Sequence, residues 1–182
     1  MKTPWEISLF DWSVKGSCGR PLEPHEVFEL IFTHDKDKAV KAYSLVCQEV
    51  GQNGWLYPCA LPVLKTILAC LPICSAVSKI HCLDLIALIV ASESAPGAED
   101  VEKHCMVEVR NAFWLFAHGV QFDDEKLIGS YVDILGCLGM KISELKGISL
   151  AYLEMALTRA VPEYDVEMVE NTIEELKQSK AL

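Results

Sequence analysis

The chain has 182 residues, 51% of them hydrophobic and 23% charged, and a formal net charge of −10. Such a length and balance fit one globular domain that buries a core without disulfide or metal staples, and they exclude large-scale disorder. The acidity excludes nucleic acid as a partner, because phosphate binding needs a basic footprint; it favours a cationic partner or serves solubility alone.

Residues 1–24 read as an irregular N-terminal arm punctuated by Pro4, Gly16, Gly19, Pro21 and Pro24. Within it Trp5, Ile7, Leu9 and Phe10, with Trp12 behind, suit a short strand or an extended arm over the first helices. The opening MKTPWEISLFDWSVKG lacks the apolar run and small-residue cleavage site of a secretory signal, so a cytoplasmic location is expected. The eight cysteines (Cys18, Cys47, Cys59, Cys70, Cys74, Cys82, Cys105 and Cys137) are then expected as thiols.

The spacing of Val27, Leu30 and Ile31 predicts a first helix over 25–33. Asp35 is a candidate N-cap for a second, to about residue 50, with Val40, Tyr43, Leu45, Val46 and Val50 at helical intervals and Gly51, Asn53 and Gly54 ending it. The stretch 54–91 is the most apolar part of the chain; its only charges are Lys65, Lys79 and Asp84. It reads as two core helices, 60–71 closed by Pro72 and 76–92 capped by Ser75, the second apolar nearly all round and therefore central. Its longest uncharged run, 85–91, is far too short to cross a bilayer, and no membrane association is expected.

After Ser94, Pro96 and Gly97, Asp100 is a candidate cap for a long helix over 101–118, with Cys105, Val109, Ala112, Phe113 and Phe116 inward and Gly119 as its stop. Asp123 and Asp124 are expected to start the next helix, through residue 138, with Gly139 ending it. A helix over 143–160 follows despite Gly147, and Pro162 prevents its extension. The last helix, 165–177, sets Val166, Val169, Ile173 and Leu176 against a glutamate-rich outer face, as suits the terminal cap of a stack.

No alternating strand is expected after residue 24, so the fold class is all-α. Pairing 36–52 with 60–71, 75–92 with 101–118 and 123–138 with 143–160 gives starts that recur every ~40 to 47 residues, the period of HEAT and armadillo arrays. Residues 25–182 are thus expected to form a single HEAT/armadillo-like right-handed stack of antiparallel helix pairs, an α-α superhelix with a C-terminal capping helix.

The run AYSLVCQEVGQNGWLYPCALPVLKTIL, 42–68, resembles the first repeat of a family of small bacterial HEAT-repeat proteins, in which a helix ends near a Gln-Gly element. A Leu-Tyr pair and an Ala-x-Pro-Val helix start then follow, matched here by Gly54, Leu56, Tyr57, Ala60, Pro62 and Val63. Asp84 with its Leu-Ile flanks and the segment 105–113 are similar to the two helices of the family's next repeat, and the resemblance spans about 25–160. Trp55 and Cys59 depart from the pattern, standing where the family has a smaller and a polar residue. The resemblance implies an interaction module, and some members resemble immunity proteins encoded beside polymorphic or contact-dependent toxins.

Catalytic and metal chemistry find little footing. Cys70, Cys74, His81 and Cys82 lack zinc-knuckle spacing and lie in apolar sequence, where thiols act as small hydrophobes. His81–Cys82 and His104–Cys105 are sequence neighbours, which point different ways on a helix, and no serine elbow or phosphate loop occurs. No catalytic residue, metal or cofactor is therefore expected. Two surfaces stand out instead. Lys103, Val107, Arg110, Trp114 and His118 step by three or four along the face opposite Phe113 and Phe116, leaving Trp114 either exposed beside Arg110 or packed on a neighbouring repeat. Asp123, Asp124, Glu125, Glu163, Asp165 and Glu167 are either an acidic rim that steers a basic partner or a solubilising surface.

The resulting expectation is a non-catalytic protein-binding module, an immunity protein that neutralises a basic toxin domain through an acidic surface. A scaffold or adaptor repeat protein with another cellular partner is the alternative. Oligomeric state is open on the sequence.

Overall fold

In the computed structural model, which describes residues 8–159 and 163–179 and only the backbone of 163–165, nine α-helices account for most of the described chain. The fold is mostly helical, as the spacing predicts. By internal contacts the chain divides into two compact units, Met1–Val109 and Arg110–Leu182.

In the first unit, local chemistry starts the helices where it is expected to. α1 (Pro24–Phe32) begins with proline at a position that needs no N–H, and Glu23 and Glu26 close a reciprocal capping box. α2 (Lys36–Val50) is capped by Asp35, whose carboxylate accepts from Asp37 N at 3.0 Å and Lys38 N at 3.2 Å. α2 is turned relative to the expected face. Ala39, Ala42, Val46, Glu49 and Val50 are buried, whereas Val40 and Leu45 are exposed. Its principal neighbours are α1 and α4 (Ala76–Ala91), and the two buried alanines permit that close approach.

α2 does not simply stop at Gly51. Gly51–Gln52 (β1) pairs antiparallel with Trp55–Leu56 (β2) across Asn53 (φ 54°) and Gly54 (φ 81°), the two positive-φ residues of a type I′ hairpin. Glu93–Ser94 (β3) then pairs parallel with β2, so a small three-stranded sheet interrupts the helices. No strand was expected after residue 24; two-residue strands are too short to show alternation, and only the Asn-Gly dipeptide marks the turn.

α3 (Ala60–Cys70) runs into a 3-10 turn at Leu71–Ile73, where Pro72 ends regular hydrogen bonding. Ser75 caps α4, its Oγ accepting from Ser78 N at 3.1 Å. From Val77 to Val90 no residue of α4 is exposed, and α1, α2 and α3 all pack on it. α5 (Val101–Asn111) is not capped by Asp100, which adopts φ 67°. Ser94 Oγ does that work across the loop, accepting from Glu102 N at 2.9 Å.

The expected arm falls partly on residues 1–7, outside the described residues. Residues 15–21 close on themselves through a Lys15–Pro21 bridge and are pinned to the end of α2. There Arg20 Nε donates to Glu49 Oε1 at 2.8 Å, and Cys18 N donates to Glu49 Oε2 at 3.2 Å. Glu49 is almost fully buried, so removing Arg20 would leave a buried carboxylate without its cation, whereas Arg20 is partly exposed and also pairs with Glu26.

The second unit contains the main departures from the sequence reading. The expected 101–118 helix is broken at Ala112, and α6 (Phe113–Phe122) then continues straight through Gly119. Gly119 is required for packing, since a Cβ there would run into the Tyr131 ring. A 3-10 turn at Glu125–Leu127 leads into α7 (Ile128–Lys141). Asp124 caps that turn through Lys126 N at 3.0 Å, while Asp123 closes α6. Gly139 lies inside α7, where a Cβ would come within 3.0 Å of Leu176 and Ser149 side-chain atoms. After a 3-10 turn at Ser143–Leu145, α8 (Lys146–Ala156) packs on α6 and α7, and α9 (Glu163–Gln178) packs on α7 and α8. α7 is the centre of this unit.

Candidate partner-binding surface

α6 separates its residues cleanly. Phe113, Phe116, Ala117, Gly119 and Val120 are buried, with 113, 116, 117 and 120 three and four apart as on an inward face. The opposite face is exposed yet not polar. It presents Trp114 at 54% exposure, Leu115 at 37%, His118, and Phe122 at 79%.

α8 extends this surface. Tyr152 meets Trp114 and Phe113 edge-on, with ring centroids 6.3 Å apart in both cases. Met155 is 37% exposed and lies 3.1 Å from Gln121 Nε2 through its sulfur. Farther along, the His118 and Phe122 rings meet edge-to-face at 6.0 Å. The result is a row of aromatic side chains in water with a methionine beside it, on two packed helices.

The C-terminal end of the row is held firmly. Arg159 donates through Nη1 to the Val120 carbonyl and through Nη2 to the Asp123 carbonyl at 2.8 Å, placing a cation on carbonyls the helix leaves unpaired. Tyr131 Oη donates to Asp123 Oδ2. Asp123 is therefore occupied in fixing α6 to α7, not standing as an open acidic rim. Asp124 and Glu125 are exposed immediately beyond it, next to Lys126.

The other expected positions fall as follows. Trp114 and His118 share the exposed face of α6. Arg110 is exposed in the last turn of α5, and the break at Ala112 separates it, with Lys103 and Val107, from α6. Glu167 is exposed on α9 together with Glu170, Glu174 and Glu175; the side chains of Glu163 and Asp165 lie outside the described residues. Phe122, Tyr152 and Met155 were not expected. Phe122 continues the Trp114–His118 step of four, a signal hidden by reading Gly119 as a helix stop.

Among the described residues no group of three or more His, Cys, Asp or Glu side chains is arranged to hold a metal, and no helix is long and apolar enough to cross a membrane. His81 stacks on Tyr43, with centroids 5.2 Å apart. The buried Cys59 and Cys105 thiols are both pushed up to about 12, first by burial and then by nearby Glu49 and Glu108 respectively. Comparison of the chain with protein-family models, curated proteins and solved structures finds no match.

Proposed function

We propose that the chain is a non-catalytic protein-binding module and that its partner docks on the α6–α8 surface. The single observation that carries this reading is the exposed face of α6, where Trp114, Leu115 and Phe122 stand in water while the helix's inner face is fully used. Aromatic anchors ringed by polar groups are the side chains that dominate protein interfaces, and contiguous exposed apolar patches mark such sites. The neighbouring acids Asp124 and Glu125, with the row of glutamates on α9, favour a basic partner and speed its approach.

The specific form we propose is an immunity protein that binds a basic toxin domain and blocks it by occupancy, with no turnover of its own. A HEAT-like stack is the fold proposal that accompanies it. α7 and α8, consecutive and closely packed across a short turn, support that fold, and α2's preference for α1 and α4 is the feature it must accommodate. The test is co-expression with the product of the adjacent gene, followed by calorimetric titration of the two purified proteins. A stable complex and survival of cells that the neighbour alone would kill are expected. A neighbour that neither binds nor is neutralised overturns the immunity reading.

A further inference from the structure

Two thiols approach each other in the first unit. Cys74 closes the 3-10 turn Leu71–Ile73, Cys82 lies in the second turn of α4, and their sulfurs are 3.7 Å apart. Neither is disulfide-bonded. The joint between them is held in place by the end of α1. Ser75 N and Cys74 Sγ both donate to the Ile31 carbonyl at 3.1 Å, and Ser75 Oγ and Ser78 Oγ donate to the Thr33 carbonyl at 2.5 and 3.1 Å. The sulfurs are thus in van der Waals contact, and forming a bond would shorten their 3.7 Å separation to about 2 Å. Cys82 is fully buried, whereas Cys74 is only partly so. One thiol of the pair therefore meets solvent and the other waits behind it.

We propose that Cys74 and Cys82 form a reversible dithiol–disulfide couple whose oxidant is a small hydroperoxide. The Cys74 thiolate attacks one peroxide oxygen and the O–O bond breaks; with hydrogen peroxide, the departing hydroxide takes a proton and leaves as water, giving Cys74 sulfenic acid. The Cys82 sulfur then attacks the Cys74 sulfur and the S–O bond breaks, and the departing hydroxide leaves as water with the Cys82 proton. Two thiols lose two electrons in total, and one peroxide becomes two waters. A small dithiol reverses the step by exchange.

The electrostatics agree with that order of events. The hydrogen bond from Cys82 holds the Cys74 thiol below its ordinary range, with the nearby Lys79 charge adding to the effect, while the same contact and burial push Cys82 well up. Nucleophilicity follows the thiolate, so Cys74 reacts first and Cys82 resolves.

The experiment exposes the folded full-length chain to hydrogen peroxide at neutral pH, unfolds it in urea to alkylate the remaining thiols, and maps peptides by mass spectrometry without reductant. A Cys74–Cys82 linked peptide is expected, with two fewer alkylatable thiols and full recovery after dithiothreitol. Cys74→Ser keeps a donor for the Ile31 carbonyl and should abolish the link. Cys82→Ala should leave a Cys74 sulfenic acid that dimedone traps. Full alkylation of both thiols after peroxide, or a link that joins Cys74 to Cys70 instead, overturns the proposal.

Discussion

α4 and α6 are both dominated by apolar residues, and the two helices use them in opposite ways. α4 sits under α1, α2 and α3, and its apolar residues are consumed by burial over four turns. α6 packs on α7 and α8 by one face only, and its other face keeps Trp114, Leu115 and Phe122 in water. Packing accounts for the first helix, none of whose residues from Val77 to Val90 is exposed. It leaves the second with a surface that a stable fold does not require. Apolar composition alone therefore does not locate function; what distinguishes α6 is apolar area left over after its packing partners are counted.

The largest effect that tests this contrast is expected in α4. Ile86 is fully buried there, so Ile86→Ala should destabilise the protein by about 2–5 kcal/mol, read as a fall in the urea midpoint. A loss below about 1 kcal/mol would mean that α4 is not the packed centre of its unit. A smaller effect tests the inner face of α6. Alanine is intrinsically better than glycine in a helix by roughly 1 kcal/mol, so Gly119→Ala would stabilise an open site. Here the added methyl meets the Tyr131 ring, which is tied to Asp123 and has little room to move. Overpacking should win by about 1–3 kcal/mol in the destabilising direction. Gly147→Ala is the control, because nothing lies within 4 Å of its added Cβ, and it should be neutral or stabilising. A stabilising Gly119→Ala would show that α6 and α7 are not closely packed.

What the sequence reveals follows the range of the interaction. Caps are local, and Asp35 and Ser75 are legible because their side-chain oxygens act within three residues. The limits of α2, α3 and α4 are legible from spacing and from Pro72. Gly119 and Gly139 mislead because glycine is a helix stop by local rules, whereas here it makes room for Tyr131 in one case and for Leu176 and Ser149 in the other. The break at Ala112 has no local signal, since alanine is the best helix former. The Arg20–Glu49 pair joins residues far apart in the chain, and no pattern announces it. At the surface, Trp114 and His118 follow from their step of four, but Phe122 is lost as soon as Gly119 is taken as the end. Asp123 counts as acidic charge in the sequence; in the fold its carboxylate accepts from Tyr131 Oη and its backbone carbonyl from Arg159.

The smallest effect on stability carries the most information about function. Phe122 is 79% exposed and among the described residues its ring meets only His118, so Phe122→Ala should change the urea midpoint by no more than the equivalent of about 0.5 kcal/mol. Trp114 is more engaged, through Phe113 and Tyr152, and Trp114→Ala should cost somewhat more. If the row is a docking surface, the order reverses with respect to cost: each substitution should weaken a partner complex by about 1–2 kcal/mol or more, roughly tenfold in Kd, while the protein stays folded. The ratio of the two effects is the discriminating quantity. For Ile86→Ala it is all stability, because the lost contacts lie inside the unit. For Phe122→Ala it should be nearly all binding. A Phe122→Ala protein with unchanged affinity for a partner that the unaltered chain binds would remove the α6 face from the interface. The acids flanking the row would then be left as a solubilising surface.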